Sequence, residues 1–250
     1  MVGIYNKNRK STKRYAKKTS DINVFKGDDC YKIIDWGKEM KKSCLLLMTC
    51  IMIITSSVAA HVPYFEHCDF SEEHPFVIRK NPDQSKAVYA WLKFDEQRSC
   101  TDIDVYSLSV PPTIYVRMYV ELIIPVVDDF YEEFVPWFAL VGPGLPPPNQ
   151  TLPFELPDGC GVIVVENVEP GTERETFYEP FGGKSYYIGP TLEETLYQTG
   201  EKYYVYVWDP YQLGGDYVLV IGKKEIFGPF DILRALFYTP LIRRGLELHI

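Results

Sequence analysis

The stretch from Gly200 to Glu225 limits what this chain can fold into more than any other. Side chains alternate from Tyr203 to Trp208, with Tyr203, Val205 and Val207 on one face and Tyr204, Tyr206 and Trp208 on the other. A two-residue period is that of an extended strand. Asp209-Pro210 ends the run, and Gly214-Gly215 offers a backbone free to reverse. Tyr217 to Ile221 is then continuously apolar, as in a strand buried on both faces. Two such strands joined by this turn predict a hairpin at the centre of a β-rich fold.

The same period recurs upstream. Ser85–Phe94 places Ala87, Tyr89 and Trp91 opposite Val88, Ala90 and Leu92. Ile103–Val110 alternates until Pro111-Pro112, and Thr113–Ile124 turns Ile114, Val116, Met118, Val120 and Leu122 one way. Trp137–Val141 and Gly161–Glu166 are short apolar strands, and Gly182-Gly183 suits a turn between two aromatic ones. Pro229–Arg244 has helical spacing, with Ile232, Leu233, Leu236 and Phe237 on a shared face and Pro240 set to kink it. Many short strands between Gly/Pro turns, with no strand–helix repeat, predict an all-β fold: an antiparallel, jelly-roll-like β-sandwich with a C-terminal amphipathic helix.

Charge divides the chain. Residues 1–60 hold 12 Lys+Arg against 5 Asp+Glu, whereas residues 61–250 hold 14 against 29. So acidic a body repels phosphates, which excludes nucleic acid as its partner. At the boundary, Met40-Lys41-Lys42 precedes the apolar run Cys44–Ile54, and Thr55–Ala60 follows with Val58 and Ala60 at the −3 and −1 places. This is the layout of a signal peptide cleaved after Ala60. The alternative is a retained membrane anchor through 44–60, against which the run is short for the ~20 residues that span. Residues 1–39 are basic and without apolar period; Met40 as the true start would give the signal a conventional layout, and a basic cytoplasmic tail is the alternative. The domains expected are a 1–39 leader, a 40–60 signal peptide, an irregular 61–82 arm, an 83–228 sandwich and a 229–250 helix and tail.

The arm carries His61, His67 and His74, with Cys68 beside His67. Imidazoles and a thiol at this density are candidate copper or zinc ligands, although no CxxC or HExxH accompanies them. Cys68, Cys100 and Cys160 are the body's cysteines, and Cys68–Cys100 is the candidate disulfide. Asn149-Gln150-Thr151 is a glycosylation sequon. Asp128, Asp129, Glu132 and Glu133 lack calcium-loop spacing and read as a solvated acidic segment.

Two blocks, Asp102–Val110 and Gly200–Ile221, resemble the bacterial pre-peptidase C-terminal domain. That family is a jelly-roll-like sandwich found beside secreted enzymes, so the resemblance implies export and a sandwich fold. The segment 125–200 departs from it, and its Ala139–Pro146 and Glu179–Gly183 blocks look more like those of other secreted prokaryotic proteins.

Catalytic signatures are lacking: there is no Gly-x-Ser-x-Gly, no Rossmann or phosphate-loop glycine pattern and no metalloprotease helix. The leading expectation is a secreted or cell-surface, non-catalytic binding or structural module that needs no cofactor. Its candidate surface is the row Tyr204, Tyr206 and Trp208 with Tyr186, Tyr187 and Tyr211, which would stack on a glycan, a peptide or a cell-envelope component. Against this, rings on a central strand usually pack, here beneath the C-terminal helix. Two alternatives stand beside it. One is copper or zinc binding by the arm. The other is membrane-surface association through residues 229–244, with Arg234, Arg243 and Arg244 at the headgroups; Asp231 and the prolines favour docking on the sandwich instead.

Overall fold

In the computed structural model, residues 61–79, 81–94, 101–113, 115–128, 130–197 and 200–249 are described. The 1–39 leader, the signal segment with its cleavage site at Ala60, and Cys100 lie outside them.

Two sheets face each other. The first contains β1 (Val62–Phe65), β3 (Lys86–Leu92), β11 (Gly215–Ile221), β5 (Val116–Pro125), β9 (Lys184–Leu196) and β8 (Thr176–Glu179), in that spatial order. The second runs β2 (Phe76–Ile78), β4 (Ile103–Ser109), β10 (Lys202–Trp208), β6 (Trp137–Pro143) and β7 (Cys160–Val165). The described residues thus form an all-β sandwich, closed by a C-terminal helix, α1 (Pro229–Ile242).

Alternation decides what enters the core. From β5 come Val116, Met118, Val120, Leu122 and Ile124; from β10, Tyr203, Val205 and Val207; from β3, Val88, Ala90 and Leu92. β11 is buried on both faces: Tyr217, Leu219 and Ile221 turn inward, and Val218 and Val220 pack outward against Ala87, Ile123 and Tyr186. At roughly 1.5–3 kcal/mol per buried aliphatic or aromatic side chain, this interior supplies most of the driving force for folding.

The expected 203–221 hairpin is not formed. β10 pairs with β4 and β6, while β11 pairs with β3 and β5 in the other sheet. The connection is a corner between sheets, held by one carboxylate. Asp209 accepts the Tyr211 N–H at Oδ1 (2.9 Å) and the Leu213 and Gly214 N–H groups at Oδ2 (2.6 and 3.1 Å). Gly214 has φ 65° and lies against the Leu92–Phe94 backbone, where a Cβ would have 2.6 Å to the Phe94 nitrogen. Among the described strands only β6–β7 and β8–β9 are consecutive and hydrogen-bonded to each other.

The arm is less irregular than its prolines suggest. β1 pairs with β3 and β2 with β4, both in parallel, and every other pair among the described strands is antiparallel. Parallel pairing requires a crossover, and each of these short edge strands is followed by a strand of the opposite sheet. Pro63 is tolerated in β1 because the strand is an edge.

Candidate functional site

The aromatic row exists but is not a surface. Tyr206 and Trp208 are 4% and 3% exposed, and Tyr204 is half-buried. Their cover is the 152–156 segment rather than the C-terminal helix: Phe154 stacks on Tyr206 at 4.0 Å and 15°, and Leu152 and Leu156 close around them. Trp137 meets Trp208 edge-on at 6.2 Å. The other three rings lie apart from the row. Tyr186 is buried on the outer side of the first sheet. Tyr187 lies under the Arg174 guanidinium, 4.0 Å from its ring centroid. The Tyr211 hydroxyl donates to Glu169 at 2.7 Å.

The arm's metal ligands are likewise not assembled. His61 faces the Ser85 hydroxyl, and burial pushes its imidazole down to about 4. His67 reaches Tyr238 Oη at 3.4 Å, His74 is exposed, and Cys68 is an exposed free thiol. Among the described residues these four form no ligand cluster, and neither do the acids of 125–136. Asn149 lies in an exposed bend.

What the fold does bring together was not singled out from sequence. Glu66, just after β1, Asp69 in the following turn and Asp104 in β4 place one carboxylate oxygen each within 4.8 Å of the others. Asp104 Oδ2 accepts the Tyr217 hydroxyl at 2.5 Å, and that hydroxyl is 2.7 Å from Tyr106 Oη. Burial, then the charge of its neighbour Asp69, pushes the Glu66 carboxyl up to about 8; burial and the charge of Glu66 push Asp104 well above the carboxylate range. A legible signal was present, since Asp104 shares the phase of the core residues Tyr106, Leu108 and Val110.

The second unforeseen feature is the orientation of α1. Asp231 accepts the Gly228 N–H at 2.9 Å and the Gln84 side-chain amide at 3.1 Å, which fixes the start of the helix on the sandwich. Arg234 lies over the Tyr64 ring at 4.3 Å and Tyr238 against Phe65 at 4.5 Å, both on β1. Ile242 is fully buried. Asp231, Arg234, Tyr238 and Ile242 are spaced by three and four residues, so they form one face. The docked face is therefore polar and aromatic. The apolar face, expected to pack on the sandwich, is turned to solvent: Ile232, Leu233, Leu236 and Phe237 are 50, 61, 67 and 67% exposed, Phe230 beside them is 82% exposed, and Ile226 is close by in sequence at 63%. Pro240 sits in the last turn, where its missing N–H frees only the Leu236 carbonyl, so the helix continues to Ile242.

Basic groups collect in the same part of the sequence. Residues 223–250 hold five Lys+Arg against three Asp+Glu, whereas residues 61–222 hold nine against 26. Arg244 is exposed, and Arg243 holds the Phe181 carbonyl at 3.0 Å. Arg234, by contrast, is committed to Tyr64 and does not reach outward. Among the described residues no helix is long and apolar enough to cross a membrane. A separate concavity of about 760 Å³, lined by Arg117, Tyr119, Glu193, Lys223 and Lys224, has its Lys223 and Glu193 charges already paired.

No family model matches the sequence, and no curated protein is significantly similar to it. The class defined by the fold is that of an all-β sandwich carrying a C-terminal helix.

Proposed function

We propose that this protein is an extracytoplasmic, non-catalytic sandwich module that attaches to a membrane surface through α1. One observation carries the reading: a helix anchored to the sandwich by its polar face presents Phe230, Leu233, Leu236 and Phe237 to solvent. An apolar helix face exposed next to basic residues suits an interfacial helix, which sinks its apolar side to the headgroup–acyl boundary. Lys223 and Lys224 are paired with Glu193 and Asp83 and Arg234 is held on Tyr64, which leaves the exposed Arg243 and Arg244 at the end of α1 to meet anionic headgroups. Both readings of residues 40–60, a cleaved signal and a retained anchor, bring the sandwich to the outer side of a membrane, where α1 would meet lipid. Export and a sandwich fold are also what the resemblance to the pre-peptidase C-terminal domain implies.

Co-sedimentation with phosphatidylglycerol/phosphatidylcholine vesicles tests the reading. Binding is expected for the wild type and at least tenfold weaker binding for Phe230→Ser/Phe237→Ser, which leaves the docked face intact. Wild-type protein that stays in the supernatant at all lipid concentrations refutes it, as does equal binding by the variant.

A further inference from the structure

The acidic group beside the arm is unlike an ordinary surface cluster. Two of its three members are buried: Asp104 is fully inaccessible and Glu66 is 6% exposed. Asp104 projects toward the core, takes one hydrogen bond at Oδ2 and, among the described residues, has no hydrogen-bond partner at Oδ1. A buried carboxylate oxygen without a donor costs several kcal/mol unless something else compensates it. Asp102 adds a fourth carboxylate, tied by the Lys93 N–H at 2.7 Å. Among the described residues the side-chain cation paired with this group is the Lys93 ammonium, which meets exposed Asp69 rather than either buried member.

The backbone holds the ligands in place independently of one another. The Glu66 N–H donates to Tyr89 O at 2.9 Å, the Trp91 N–H donates to Glu66 Oε2 at 3.1 Å, and the Val105 N–H donates to Phe70 O at 2.5 Å. Arm, β3 and β4 thus converge on one point, and two of the three side chains cannot swing into water without leaving the fold.

From this geometry we infer that Glu66, Asp69 and Asp104 form a divalent-cation site selective for calcium. Three carboxylates with no nitrogen or sulfur donor suit a hard cation rather than copper or zinc. Calcium holds oxygen ligands at 2.3–2.6 Å, so two ligands of one ion lie at most about 5 Å apart. The separations here, within 4.8 Å, meet that limit as they stand. Magnesium, at 2.0–2.1 Å, needs them within about 4.2 Å and holds its water shell more tightly. The ion would meet the orphaned Asp104 oxygen and join the arm to β4, a role distinct from lipid attachment by α1. Asp69 would exchange its Lys93 partner for the ion.

The test is terbium and calcium binding by the full chain. Terbium bound here lies beside the Tyr217 hydroxyl, which is 2.5 Å from Asp104 Oδ2, so excitation of tyrosine is expected to sensitise terbium emission. Calcium is expected to displace the terbium, and tenfold more magnesium is not. Asp69→Asn alters an exposed side chain and spares the fold; it is expected to weaken calcium binding at least tenfold. Asp104→Asn is expected to abolish the sensitised emission, with circular dichroism reporting whether the sandwich persists. Calcium binding in the millimolar range that Asp69→Asn leaves unchanged would mean diffuse attraction to an acidic body and would overturn the inference. Absence of any binding at 5 mM calcium would overturn it equally.

Discussion

Replacing Trp208 by alanine separates a buried aromatic row from a ligand-binding one. The indole is 3% exposed and contacts Trp137 and Phe154. Burying a side chain of that size removes roughly 150–250 Å² from water, worth about 4–6 kcal/mol at ~25 cal/mol per Å². Part of that area belongs to the β-carbon that alanine retains, and measured Trp→Ala costs in cores run at about 3–5 kcal/mol. The expected loss is therefore about 3–5 kcal/mol. For a body of this length each kcal/mol moves the melting temperature by roughly 2–4 °C, so a fall of about 6–20 °C is expected. Urea unfolding, followed by far-ultraviolet circular dichroism, should show a lower midpoint with the slope unchanged. A ring on an exposed binding surface would cost less than about 0.5 kcal/mol. A change that small would refute the placement of Phe154 and the 152–156 segment over the second sheet.

Asp209→Ala removes the acceptor of three amides at the corner between sheets, and should cost about 1–3 kcal/mol in urea unfolding because half-buried donors are left unpaired; Asp209→Asn, which keeps one acceptor oxygen, should cost less. Gly142→Ala places a Cβ 2.1 Å from the Tyr203 ring in the core, and should lower the melting temperature measurably through overpacking of about 1–3 kcal/mol. His61 gives a pH dependence of defined sign. Burial lowers its folded pKa from 6.5 to about 4, so between those values the unfolded chain binds more protons. Its contribution, at most about 3 kcal/mol, is complete above pH 6.5 and lost as pH falls through 4. Glu66 acts in the opposite sense, since burial raises its carboxyl and its contribution fades as pH rises toward 8. The His61 effect is therefore read as the difference between wild type and His61→Gln at each pH, which should shrink from pH 7 to pH 4.

Strand positions were legible because burial on one face writes a two-residue period into Ile103–Val110, Val116–Ile124 and Tyr203–Trp208. Sheet membership was not. The residues from Asp209 to Gly215 suit a hairpin and a corner equally well, and the choice was made by partners 93–105 positions upstream in β4 and 123–135 positions upstream in β3. The fate of the aromatic row was hidden for a similar reason: its cover, Phe154, lies in a proline-rich segment with no periodicity. Helical spacing in 229–244 announced an apolar face but not its direction. That was decided by Asp231 finding Gln84 and by Arg234 and Tyr238 finding Tyr64 and Phe65, the last two contacts depending on the arm forming β1. The carboxylate cluster joins residues 38 positions apart, and only the phase of Asp104 hinted at it.

Attachment of α1 to lipid is tested most directly by depth-dependent quenching at its exposed face. With Phe237→Trp, the tryptophan emission added by the substitution should shift to the blue on mixing with vesicles and be quenched by lipids brominated near the top of the acyl chain. Emission that neither shifts nor is quenched at saturating lipid would contradict insertion of the Phe230–Phe237 face and with it the proposed membrane role.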